Sequence, residues 1–373
     1  MRDVPRVEAF LLGTATPGGM SGGDRHALEV LDAWGRSGRA SVTLYVAPGG
    51  AETVQRFEYS VATHVLPEAR GLPLYAAYLL RLSRALRAPR RGSPPAVVYA
   101  TSAYFYDALP AWASARRARA LLVVALFHVI PVPWRRQGFV LTNLAAWLEQ
   151  RLMIALVVRR AGLVVVDNPE VRADLVRLGV RTDRIVVSSM GVRRVEPCGT
   201  FTPVDATYVG RLTEQKGLRT LIRAWRSVVD VLPTAQLRLI GQIDRAFPIR
   251  RLLEDERLAA NVEILEGLSD GEVVAALQST RAFVTASEEE GYGLSVLEAL
   301  AAGIPVVAFD LPAFRFAFPR GRIVARSGAD GLGETLRSVL TDEECLAAAR
   351  AEVAAVAIPR WDDVADEIWE RLA

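Results

Sequence analysis

Two hydrophobic periods alternate along the chain. Short apolar runs at 7–12, 41–46, 96–100, 120–127 and 163–166 predict strands, and the longer stretches between them have helical composition. A second series, at 205–209, 237–240, 262–265, 282–286 and 306–309, repeats the alternation. Strand and helix in turn predict an α/β protein with a parallel sheet in each half. Between the halves, 190–203 contains Gly, Pro and Cys with no periodicity, and is the expected linker. A length of 373 residues exceeds one typical core and fits two domains of roughly 150–200 residues each. No internal repeat or low-complexity tract interrupts the pattern.

Composition narrows the class. Hydrophobic residues make up 51% and charged residues 23%, a globular balance. The longest uncharged apolar runs, such as 152–158, fall far short of the ~20 residues of a spanning helix. The opening residues Arg2, Asp3, Arg6 and Glu8 do not form a basic-then-apolar signal, so a cytosolic location is expected. Cys198 and Cys345 are too few and too distant for a disulfide framework, and His26, His64 and His128 lack metal-ligand spacing. The net charge of +3 conceals an asymmetry: residues 1–195 hold 26 Arg against 14 acids, a formal +12, and the rest carries −9. Arginines gather at 80–91, 116–119 and 133–136. Such clusters suit an anionic membrane surface or a phosphorylated acceptor, although an arginine-heavy composition on solvated helices has the same look. No nucleic-acid motif accompanies the charge, and no nucleic-acid partner is expected.

Of the 45 basic residues one is a lysine, Lys216, within Gly210-Arg211-Leu212-Thr213-Glu214-Gln215-Lys216-Gly217. An ammonium is compact where a guanidinium is broad, so a lone lysine suggests a pocket that admits only the smaller head. A second segment, 287–307, reads as a glycine-punctuated loop and a helix between two strands. Loops of this kind lie at the carboxyl end of a sheet, where open α/β folds bind ligands. Gly291 and Gly293 allow close backbone approach, and the amides opening the next helix suit a phosphate. Carboxylates there would repel phosphate, so Glu290 and Glu298 are expected to accept hydrogen bonds from hydroxyls, as sugars present. Glu288 and Glu289 read as a solvated acidic loop.

Together these segments resemble the retaining GT-B glycosyltransferases of family 4, whose second domain carries a Gly-Arg-Leu-x-x-x-Lys-Gly loop and a Glu-x7-Glu motif with an internal Gly-aromatic-Gly-Leu. Arg211, Lys216, Glu290 and Glu298 match position for position. More weakly, 261–278 resembles the strand-loop-helix beside the base, 164–191 the end of the first domain, and 361–372 a closing helix that crosses back onto it. The resemblance implies two Rossmann-like parallel-sheet domains facing a central cleft: 1–195 for the acceptor, 196–358 for the nucleotide-sugar donor, and 359–373 returning to the first.

It also implies roles. Arg211 and Lys216 would neutralise the leaving diphosphate and Glu290 would hold donor-sugar hydroxyls. Glu298 would meet the ribose, and amides near Gly293 and Leu294 the distal phosphate. Gly210, Gly267, Gly291 and Tyr292 complete the expected donor site. The resemblance brings Gly18 and Gly19, in the glycine-rich loop 13–24, to face the donor; that loop is not the Gly-x-Gly-x-x-Gly dinucleotide fingerprint. Where the family often shows Gly-Gly-x-Glu this chain has Gly22-Gly23-Asp24, which leaves Asp24 without an assigned role. His128 ends an apolar strand; by itself it reads as structural, and by resemblance it lies near the transferred sugar. With cationic side chains present and no acidic metal motif, no obligatory cofactor or metal is expected beyond the nucleotide-diphosphate-sugar substrate. The acceptor, lipid-linked or anionic among the alternatives, is not specified. A GT-B epimerase and a non-catalytic subunit are the rival readings.

Overall fold

Val97–Ala100, Leu163–Val166, Leu237–Ile240 and Val306–Phe309 are buried at every position, as strands covered by helices on both sheet faces require. The computed structural model describes residues 4–13, 20–67, 74–88, 93–135, 140–244 and 246–372. One sheet is built from β1 (Arg6–Leu11), β2 (Ser41–Val46), β3 (Ala62–Val65), β4 (Val97–Ala100), β5 (Leu121–Ala125), β6 (Leu163–Val166) and β7 (Ile185–Val187). Its order is β3-β2-β1-β4-β5-β6-β7, with the pairings parallel. The other comprises β8 (Val204–Val209), β9 (Leu237–Ile240), β10 (Val262–Leu265), β11 (Thr280–Val284), β12 (Val306–Phe309) and β13 (Arg322–Ala325), ordered β10-β9-β8-β11-β12-β13 and again parallel. These are two parallel, Rossmann-like sheets, as the sequence resemblance implies. In each, strand order reverses once, between β1 and β4 and between β8 and β11, which creates the crevice where such sheets take ligands.

Three strands, β3, β7 and β13, lie outside the sequence expectation. All are short edge strands; β3 and β13 are largely unburied, and β7, although apolar, is three residues long. The helices follow their periodicity more openly. In Leu218–Val229, the buried Leu218, Leu221, Ile222, Trp225 and Val228 form one stripe while Arg219, Arg223 and Arg226 lie on the other side.

The chain divides into Met1–Gly191 with Arg360–Ala373, and Val192–Pro359. The break thus falls at Gly191/Val192, where 195/196 was expected. The helix Trp361–Glu370 belongs to the first unit and packs on the helix Gly22–Arg36. Buried Trp34 donates its indole N–H to Ala365 O at 2.9 Å and meets Trp369 edge-on, while Arg36 and Arg39 pair with Asp362 and Asp366 at 3.0 and 2.8 Å.

In the arginine cluster at 80–91, read from sequence as a membrane- or acceptor-binding surface or else a solvated face, one member is buried. Arg81 is 4% exposed, donates to Leu12 O at 2.9 Å and lies over the Tyr78 ring. Its aliphatic stem and guanidinium are part of the core. Arg87 is exposed, and Arg90, Arg91 and Arg136 lie outside the described residues.

Candidate active site

β8 and β11 are neighbours at the reversal of the second sheet, so the loops leaving their carboxyl ends meet although the sequence separates them widely. The first loop runs through a short turn, Glu214–Lys216, to Gly217, which caps the helix Leu218–Val229. Gly217 has φ +70°, and a Cβ there would lie 2.0 Å from Ala286 O. Only glycine satisfies both the left-handed backbone and the approach of the neighbouring loop.

The contact delivers Lys216 to Glu290. Lys216 Nζ donates to Glu290 Oε1 at 2.6 Å, with the two side chains 25% and 18% exposed. Arg211, in contrast, presents an exposed guanidinium, and its carbonyl accepts the Tyr208 hydroxyl at 3.1 Å. Tyr208 titrates well above the usual phenol range, first because it is buried and then because Glu290 is nearby; Arg211 acts in the other direction. The site therefore joins one exposed cation, one half-buried cation and one carboxylate.

Gly293 (φ +98°) caps the helix Leu294–Ala301, and its carbonyl accepts the Val296 and Leu297 amides at 3.0 and 3.1 Å. Amides preceding these have no intrahelical acceptor and sit at the positive end of the helix dipole. A Cβ on Gly293 would lie 2.6 Å from Phe314 Cε1, so the aromatic wall behind the loop also demands glycine. Tyr292 is buried against Phe318, ring centroids 5.5 Å apart, and acts as a wedge in that wall. Gly291 is exposed in the loop, and Glu298 is half-buried one turn into the helix. Gly210 follows β8 and Gly267 (φ +75°) follows β10, on the same sheet end.

Three features here had no reading from sequence. A Cβ on Gly241, after β9, would lie 1.9 Å from Gly210 O, so two glycines allow adjacent strand ends to close up. Thr213 Oγ1 and Ser287 Oγ are buried in the two loops without a hydrogen-bond partner among the described residues. Their positions inside the recognised motifs were the only available signal.

In the first unit, His128 is exposed in the loop after β5. Gln150 holds that loop by donating to His128 O at 2.8 Å and accepting from Ile130 N at 2.7 Å. Gly18 and Gly19 lie outside the described residues. Asp24 forms a capping box with Ser21, which supplies the role that sequence left open. Asp107, at the β1/β4 reversal, accepts from Leu12 N and Ser102 Oγ, each at 2.6 Å, and burial raises its pKa to about 7. His26 is buried against Phe127 and Trp361, with Nε2 3.3 Å from Ser188 Oγ and its pKa lowered by burial to about 3. Among the described residues no group of three His, Cys, Asp or Glu is placed to hold a metal ion, and no helix is long and apolar enough to cross a membrane.

Comparison with known proteins matches residues 21–191 to the family described as glycosyl transferase 4-like domain and 202–354 to that described as glycosyl transferases group 1. Over 142 residues the chain is 30% identical to a poly(glycerol-phosphate) alpha-glucosyltransferase of Bacillus subtilis, covering 37% of this chain and 21% of that protein. Over 174 residues it is 32% identical to a phosphatidyl-myo-inositol mannosyltransferase of Mycobacterium tuberculosis, covering 43% and 44%. The chain thus spans less than half the length of these two curated relatives. Anabaena HepE, solved in complex with UDP and glucose, superposes with a TM-score of 0.77 at 16% identity, covering 99% of both chains. Sucrose-phosphate synthase from Thermosynechococcus elongatus gives 0.75 at 18%, covering 98% of both.

Proposed function

Because the chain belongs to the group 1 glycosyltransferases of the GT-B fold, we propose that it moves a hexose from a nucleotide-diphosphate donor to an acceptor hydroxyl with retention at the anomeric carbon. The observation that carries this reading is the Lys216–Glu290 pair, which unites the two motifs beside the exposed Arg211 and the Gly293 helix start. In this reading the bond from the anomeric carbon to the diphosphate oxygen breaks as the acceptor oxygen bonds to the same face. The departing phosphate takes the acceptor's proton. Arg211 and Lys216 stabilise the charge growing on the diphosphate, an electrostatic effect worth several kcal/mol in a closed site. Glu290 accepts from donor-sugar hydroxyls, Glu298 from the ribose, and the first helix amides hold the distal phosphate. In the first unit, His128 is the candidate catalytic side chain.

We assign the donor to the second unit and the acceptor to the arginine-rich first unit. Both relatives' names include a phosphate-bearing molecule, which supports an anionic acceptor. HepE's complex with UDP supports a nucleotide diphosphate in the donor site. The test is incubation with UDP-, GDP- and ADP-sugars, with nucleotide release followed with and without phosphate-bearing acceptors. Acceptor-stimulated release is expected for one donor; no binding or release with any donor would overturn the reading.

A further inference from the structure

The helix Val140–Leu156 wears its polar and apolar faces the wrong way round for a protein surface in water. Asn143 and Gln150 are 7% and 4% exposed, whereas Leu141, Leu148 and Leu152 are 64%, 53% and 54% exposed, with Leu144 and Leu156 completing the line. Spaced three or four residues apart, these leucines form one stripe about 23 Å long at 1.5 Å per residue. None of the exposed positions described along the helix is charged. Its two ionisable residues are turned to local partners: Glu149 accepts from the Phe105 amide and Arg151 donates to Ile130 O.

Two occupants suit an apolar stripe, and its surroundings favour one. A seam with a second copy needs an alternating three-four repeat; from Leu141 that repeat passes Leu144 and Leu148 and then reaches Arg151, already engaged at Ile130. A twofold contact would also bring arginine-rich surfaces face to face. The helix Phe105–Ala118 packs against both Val140–Leu156 and Leu74–Arg87, and these flanking helices expose Arg87, Arg116 and Arg117. Exposed Arg159 and Arg160 follow the stripe, and Trp134, 77% exposed, precedes it. A leucine stripe with exposed arginines at its end, an exposed tryptophan before it and further exposed arginines on the helices packed beside it makes the composition of a helix that lies in the plane of an anionic bilayer. The geometry points to an in-plane membrane-seating surface on the first unit, centred on Leu144, Leu148 and Leu152 and attracted by anionic lipid headgroups.

Flotation of the full chain with phosphatidylcholine vesicles, with and without phosphatidylglycerol, tests it. Wild type should float with the anionic vesicles, and its tryptophan emission should shift to the blue. Combining Leu144→Gln, Leu148→Gln and Leu152→Gln should lower partitioning by a hundredfold or more, since each leucine moved out of water is worth about tenfold. Leu148→Gln alone should lower it by about tenfold, which serves if the triple variant does not fold. Absence of wild-type binding, or equal binding by the variants, would overturn the proposal. So would a wild-type dimer without vesicles that these substitutions convert to monomer. Nucleotide-sugar binding in solution should be unchanged in the variants, and its presence or absence reports on the transferase reading separately.

Discussion

Lys216 Nζ and Glu290 Oε1 lie 2.6 Å apart although 74 residues separate them in sequence. Glycine at 217 lets the two loops touch, and the adjacency of β8 and β11 sets the loops side by side. The one lysine of the chain is therefore already paired with a carboxylate, and under the proposed function a donor diphosphate would share or displace that contact.

Replacing the ammonium tests its second duty. Lys216→Ala should lower kcat/KM by roughly 10²–10³, and Lys216→Arg should recover only part of the loss because its planar head is wider. Full activity of Lys216→Arg in a steady-state assay with the true donor would show that the lysine is not needed as a lysine.

Glu290→Gln should nearly abolish transfer while leaving the thermal transition close to wild type, because a half-buried loop carboxylate is lost without a core cavity. The double variant with Lys216→Ala should lose less than the product of the two single losses, since each single change already breaks the pair. Additive losses in that cycle would separate the two residues functionally.

Gly217→Ala places a methyl group where Ala286 O already stands and forces a left-handed backbone on alanine. A loss of more than about 1 kcal/mol in denaturant titration, together with weakened donor binding, is expected. Unchanged donor affinity would show that the contact between the loops does not set the site.

Stability should depend on pH through His26. Its folded pKa of about 3 is below the usual 6.5, so between these values the unfolded chain holds the extra proton. This contribution is complete above about pH 6.5 and declines as pH falls toward about 3. Asp107 and Asp167, raised by burial to about 7 and about 8, act oppositely: the folded state keeps protons that the unfolded state releases, and stability falls as pH rises toward those values. The difference in Tm between wild type and His26→Gln, followed from about pH 7 to about pH 4, isolates the histidine and should shrink or reverse at the acid end.

Arg81 and Arg87 stand six residues apart in the cluster that sequence treated as one surface. Arg81→Ala should destabilise by about 1.5–3 kcal/mol, the scale of a hydrogen bond from a charged group, and Arg87→Ala should change little. Equal effects on urea midpoints would contradict the burial of Arg81.

The two loops of the candidate site were legible as neighbours because their motifs lie in contiguous residues, 210–217 and 287–298, with glycines where the backbone must bend or be approached. The strand-helix alternation was legible because central strands such as β4 and β12 are buried on both faces. Edge strands β3, β7 and β13 escaped, being too short to show a period. Asp107, His26 and Arg81 escaped for another reason: their burial comes from segments far away in the chain, Leu12 for Asp107 and Arg81 and Trp361 for His26. For Val140–Leu156, helical spacing marks two faces but does not say which one turns outward, and here leucine does.

The docking of Trp361–Glu370 onto Gly22–Arg36 also orders events during synthesis. Trp34 receives its partners Ala365 and Trp369 only after the whole of Val192–Pro359 has been made. At ribosomal rates of about 5–20 residues per second, the first unit waits roughly 10–30 s with that indole site uncovered. The unit begun first is the one finished last, so nascent chains halted before Arg360 should be recognised by chaperones through the surface around Trp34.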